Sequence, residues 1–117
     1  NENMFKYVAY YNYFLRPAYP KGKSIKKVCE EIDFNVAYDT FCGIVKTIEP
    51  EFIYFLSKFA WDSLMVKNPN YKGIKMDYSP HLACPWSNRK NYHLENHNEL
   101  LTGKEKFLWF LKNNKIF

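Results

Sequence analysis

The feature that most constrains this chain is an apolar run, Phe52-Ile53-Tyr54-Phe55-Leu56, standing just behind Pro50 and between two segments of helical periodicity. Successive residues of a strand point to opposite faces, so a run without a polar member is apolar on both. That pattern suits the interior of a parallel sheet whose two faces are both covered by helices.

The flanking segments agree. Upstream, Phe41, Ile44, Val45 and Ile48 recur at helical spacing, Asn35 can cap the start, and Pro50 ends the helix. Downstream, Ser57 can cap a short helix carrying Phe59, Ala60, Leu64 and Met65, and Asn68-Pro69-Asn70 makes a turn. Gly73 to Tyr78 reads as another strand, and the aromatic and β-branched stretch Phe5 to Tyr11 as an earlier one. A polar loop runs from Ser79 to about Leu101. Thr102 and Glu105 then form a capping box ahead of a last helix with Phe107, Leu108, Phe110 and Leu111.

The predicted order is β-α-β-α-β-α. Such alternation predicts an α/β domain, a parallel β-sheet with flanking helices in a three-layer α/β/α arrangement, spanning 1–117 as one unit. Three strands make a thin sheet, and the chain opens on Asn1 and reaches a strand pattern by Phe5. We therefore expect part of the domain to lie upstream, so that this is an N-terminally incomplete unit.

Composition narrows the function classes. Of the 117 residues, 47% are hydrophobic and 20% aromatic, which excludes intrinsic disorder. No apolar run approaches the roughly 20 residues of a membrane span, so no membrane partner is expected, and no secretory leader is visible. Cys29, Cys42 and Cys84 form no CxxC pair, and an odd number does not make a disulfide framework. A reducing, cytoplasmic interior is the expected home. The net charge of +5 suits a polyanion such as nucleic acid, although Lys-rich composition produces such a charge by itself.

In parallel sheets ligands bind beyond the carboxyl ends of the strands. The predicted ends place Asn12 past one strand and His81 past another. An amide there can donate to and accept from a base edge, and a histidine can donate to an oxygen that gains negative charge. The plainer reading makes Asn12 a turn residue and His81 an exposed loop residue. His81, Cys84, His93 and His97 are zinc-ligand types, but the interval between Cys84 and His93 is short for a zinc finger, and no metal or other cofactor is expected. Trp86 beside Asn88, Arg89 and Lys90 can stack on a base and neutralise phosphate, or fold onto the core behind a solvated basic rim. Lys21, Lys23, Lys26 and Lys27 can extend a phosphate-binding surface or form a solvated loop. No GxSxG, GxGxxG or P-loop is present. Asp33, Asp62 and Asp77 are acids that nothing in the sequence brings together.

On these residues the chain resembles the later part of the uracil-DNA glycosylase superfamily domain. Val8-Ala9-Tyr10-Tyr11-Asn12 resembles the strand that ends in the family's asparagine, and Ile48 to Leu64 resembles its proline-led apolar strand and small helix. Tyr78-Ser79-Pro80-His81 stands where the histidine motif falls, and Thr102 to Phe107 resembles the closing helix. Here the histidine follows its proline instead of preceding it, and the family's first motif, with the water-activating residue, is not found before Asn12. The cysteines also lack the ligand set of iron–sulfur members.

The resemblance implies a domain that takes a base flipped out of DNA and, in the complete protein, hydrolyses its N-glycosidic bond. It makes His81 the catalytic donor and Asn12, Tyr13 and Phe14 the base-binding set. Leu82 or Trp86 becomes a wedge into the vacated stack, with Asn88, Arg89, Lys90, Lys21 and Lys23 along the DNA. A non-catalytic module binding nucleic acid or protein on the same scaffold is the alternative.

Overall fold

Helix α1 spans Glu31–Ile48 and begins where acidic side chains can serve its exposed amides. The Asp33 carboxylate accepts the Glu30 N–H at 2.8 Å, and Glu31 and Asp33 place negative charge at the positive end of the helix dipole. The cap expected at Asn35 is thus displaced to Glu30. Asn35 instead sits within the helix, where its Oδ1 accepts from Lys67 Nζ at 2.8 Å. The helix ends at Glu49, a left-handed residue with φ of 51° just ahead of Pro50. Its buried stripe is Ala37, Phe41 and Val45, while Ile48, expected inside, is 52% exposed.

These elements belong to a computed structural model that describes residues 8–15, 29–81, 90, 92 and 100–116. Strand β1 (Phe52–Phe55) and strand β2 (Lys75–Tyr78) pair in parallel, with Phe52 opposite Lys75 and Phe55 opposite Tyr78. Two flanking bonds lengthen the ladder, from Lys75 N–H to the Glu51 carbonyl at 3.1 Å and from Ser79 N–H to the Phe55 carbonyl at 2.9 Å. Helix α2 (Lys58–Val66) is the crossover between them. As expected, Ser57 caps it, accepting the Ala60 N–H at 3.2 Å. Its Leu64 is fully buried.

Helix α3 (Gly103–Asn113) opens with the expected capping box. Thr102 Oγ1 accepts the Glu105 N–H at 3.1 Å, and Glu105 accepts the Thr102 N–H at 2.9 Å. Leu108, expected inside, is 58% exposed, because the inward positions are Gly103, Lys106 and Phe110. An isolated antiparallel bridge joins Tyr92 to Leu101 just ahead of this helix.

The apolar strand β1 is used on both faces. Phe55 meets Phe41, Tyr13 and Trp61 with ring centroids 5.6–6.0 Å apart. Tyr54 meets Phe107 and Phe110 of α3 at 4.8 and 4.9 Å. Aromatic pairs at such separations contribute about 0.5–1.5 kcal/mol each beyond area burial.

The described part is therefore α/β, with helices around a two-stranded parallel sheet. The first expected strand departs from this picture. Its residues 8–11 join no ladder, and Tyr10 is 65% exposed, while positions 5–7 lie outside the described residues. An aromatic, β-branched run reports a capacity for burial and not a pairing partner. Tyr13, two residues beyond the run, enters the core instead. Among the described residues no helix is long and apolar enough to cross a membrane.

Candidate functional site

Parallel pairing puts the carboxyl ends of β1 and β2 side by side, at Phe55 and Tyr78. Two chain segments of interest come to this edge. His81 follows β2 and is exposed. Tyr13, one residue after the exposed Asn12, sets its ring 6.0 Å from that of Phe55.

The Tyr13 ring is part of the core, and the partly buried Phe14 packs against it. Tyr13 is 9% exposed and lies among Phe14, Phe41 and Phe55. Phe14 stacks on Phe59 at 5.1 Å and meets Phe34 edge-on at 5.7 Å. Tyr13 is thus closed to a ligand, Phe14 is partly buried and Asn12 is exposed. Lys90 is exposed. Lys21, Lys23, Leu82, Trp86, Asn88 and Arg89 lie outside the described residues, as do Cys84, His93 and His97. Among the described residues no three His, Cys, Asp or Glu side chains group as metal ligands.

A polar cluster that the sequence does not announce lies beside the same edge. Lys106, buried on the inner side of α3, places Nζ 2.9 Å from Asp77 Oδ1. The same ammonium stands 3.9 Å from the centroid of the Tyr78 ring and 5.0 Å from that of Tyr92. Asp77 Oδ1 also accepts the Tyr78 N–H at 2.8 Å. Next to them the hydroxyls of Tyr54 and Ser79 are buried, and neither forms a hydrogen bond with a described residue. Burial pushes the Tyr54 phenol up, reinforced by the Asp77 charge. One signal in the sequence could have pointed here: a lysine at the inward helical position between Gly103 and Phe110.

A second cluster gathers phenols around a thiol on α1. The Tyr71 hydroxyl donates to Cys42 Sγ at 3.1 Å. Burial and that bond raise the Tyr71 phenol. Burial raises Tyr11 and Tyr13 to about 12, with the nearby Cys42 adding to both. Asp62 is solvated, as expected, and pairs with Lys58 at 2.7 Å.

Compared with protein-family models, with curated proteins and with solved structures, the chain finds no match.

Proposed function

We propose that the chain is a base-recognising α/β domain of the uracil-DNA glycosylase type. Asn12 reads the polar edge of a base flipped out of DNA. His81 donates a hydrogen bond to the base oxygen as the N-glycosidic bond breaks and negative charge collects on the base.

The observation that supports this most is the packing of Tyr13 against Phe55. Tyr13 lies against the last residue of β1 and Asn12 stands next to it in the chain, while His81 follows the carboxyl end of the parallel neighbour β2. Strand ends of this kind are where open parallel sheets hold their ligands. The three-layer α/β/α arrangement that goes with this reading draws support from Phe41 meeting Phe55 on one face while Phe107 and Phe110 meet Tyr54 on the other. The resemblance puts water activation ahead of Asn12, so the proposal assigns that step to no described residue. DNA as the partner implies an intracellular site of action, and the net charge of +5 favours a polyanion.

One observation favours the non-catalytic module: Tyr13, expected to hold the base, is buried among Phe41 and Phe55, which leaves a base without that ring.

The test is to titrate the chain with duplexes containing uracil, hypoxanthine or a G·T mismatch, against undamaged duplex, and to assay abasic product with the complete protein. The proposal expects tighter binding to one modified duplex, lost in Asn12→Ala, and abasic product reduced about 100-fold in His81→Ala. Selective binding without product leaves the non-catalytic module. Equal affinity for all duplexes, unchanged by Asn12→Ala, rejects both.

A further inference from the structure

Lys106 occupies an apolar position of an otherwise amphipathic helix, and its surroundings are those of a bound cation. The ammonium has a carboxylate oxygen at 2.9 Å. It has one aromatic face at 3.9 Å and another at 5.0 Å. The two rings stand nearly perpendicular, at 81° with centroids 6.2 Å apart, and so form two walls of a corner. Trp61 stacks behind Tyr78 at 5.2 Å and 21°, which holds the nearer wall in place without reference to Lys106. Asp77 is positioned by the strand register, opposite Tyr54. The nearer wall and the carboxylate are thus set by elements other than α3, the farther wall is held by the bridge of Tyr92 to Leu101 ahead of that helix, and each is only partly buried.

We propose that Asp77, Tyr78 and Tyr92 form an alkylammonium-binding cage, which the chain keeps closed with its own Lys106. Two electron-rich ring faces and one carboxylate are the groups that recognise ammonium ligands. A simple anion is repelled by the carboxylate, and a neutral apolar group leaves that carboxylate unpaired in a partly desolvated place. The Lys106 side chain is only 8% exposed and is delivered by a capped helix, so it outcompetes free cations in the intact protein. A cationic ligand reaches the cage only when α3 withdraws that side chain. The proposal is independent of base recognition at Asn12 and His81.

The experiment restores the severed part of the side chain in trans. In Lys106→Ala the missing fragment is n-propylammonium. The variant is melted in n-propylammonium chloride, in equimolar sodium chloride, and in sodium chloride with 1-propanol, which matches the fragment in size without its charge. The cage requires the alkylammonium salt to raise the melting temperature of Lys106→Ala above both controls. It also requires no such rise in the wild-type chain or in Lys106→Ala/Tyr78→Ala. An equal response to 1-propanol reduces the site to a plain cavity and overturns the proposal, as does no response. Should Lys106→Ala fail to fold, the wild-type chain decides by NMR. The Lys106 ε-methylene must then resonate upfield under the Tyr78 ring and lose that shift in Tyr78→Leu, whereas an ordinary lysine shift overturns the cage.

Discussion

Lys106 and Asp77 meet at 2.9 Å between α3 and β2, with the lysine side chain 8% and the aspartate 26% exposed. A pair so placed is held by more than Coulomb attraction, since the ammonium also rests on the Tyr78 ring. Breaking such a pair from one side leaves a desolvated charge behind, which is costlier than replacing both partners.

Asp77→Ala should therefore destabilise the chain by about 3 kcal/mol or somewhat less, given the partial exposure of the carboxylate. Asp77→Ala/Lys106→Met should recover much of that loss. Urea denaturation of the wild type, the single variant and the double variant checks the sign. A double variant as unstable as the single one would show that the ion pair is not the source.

Thr102 anchors the start of the helix that carries Lys106, through the reciprocal bonds with Glu105. Thr102→Ala should cost about 1 kcal/mol, whereas Thr102→Asp should cost little because it keeps an acceptor at the cap. Equilibrium unfolding separates the two.

Leu64 is the largest fully buried apolar side chain of α2 and faces the cluster of Phe41, Phe55 and Tyr13. Leu64→Ala should cost about 2–5 kcal/mol, the range set by how far the surrounding rings collapse into the space. The melting temperature should fall accordingly, and an unchanged value would place Leu64 outside the cooperative core.

Glu49 holds φ of 51° and ψ of 58° at the end of α1. A side chain there pays for the left-handed region, and glycine does not. Glu49→Gly should stabilise by about 0.5–1 kcal/mol, in contrast with glycine elsewhere in the helix, for instance at Lys46, where it should destabilise by a similar amount. Denaturant midpoints for the two variants should move in opposite directions.

Tyr11 and Tyr13 hold their protons up to about 12, against an ordinary value of 10.0, mainly because burial disfavours the phenolate. The folded chain thus keeps protons that the unfolded chain releases. This contribution is fully present below pH 10.0 and is lost as pH rises from there through about 12. Unfolding free energy measured by urea should fall over that window, with a shallower slope in Tyr13→Phe. Equal slopes would show that Tyr13 titrates alike in both states.

Local chemistry was legible without the fold. Ser57 and Thr102 announce their caps because a hydroxyl ahead of a helical pattern satisfies amides within the next turn. Pro50 marks the end of α1, and the unbroken Phe52–Leu56 run signals a strand covered on both faces, which Phe41 and Phe110 now cover. Parallel pairing followed from the helix lying between the strands.

The destinations of individual side chains were decided only in three dimensions. The start of α1 moved to Glu30 because Asp33 accepts the Glu30 amide, a choice that Asn35 offered equally well in sequence. Tyr13 became core, since Phe41 and Phe55 come together beside it. Lys106 found Asp77 and Tyr78 across a helix–sheet contact. Propensity and capping act over a few residues, so a sequence displays them directly. Which rings enclose one another, and which carboxylate meets a buried ammonium, depends on contacts between segments far apart in the chain.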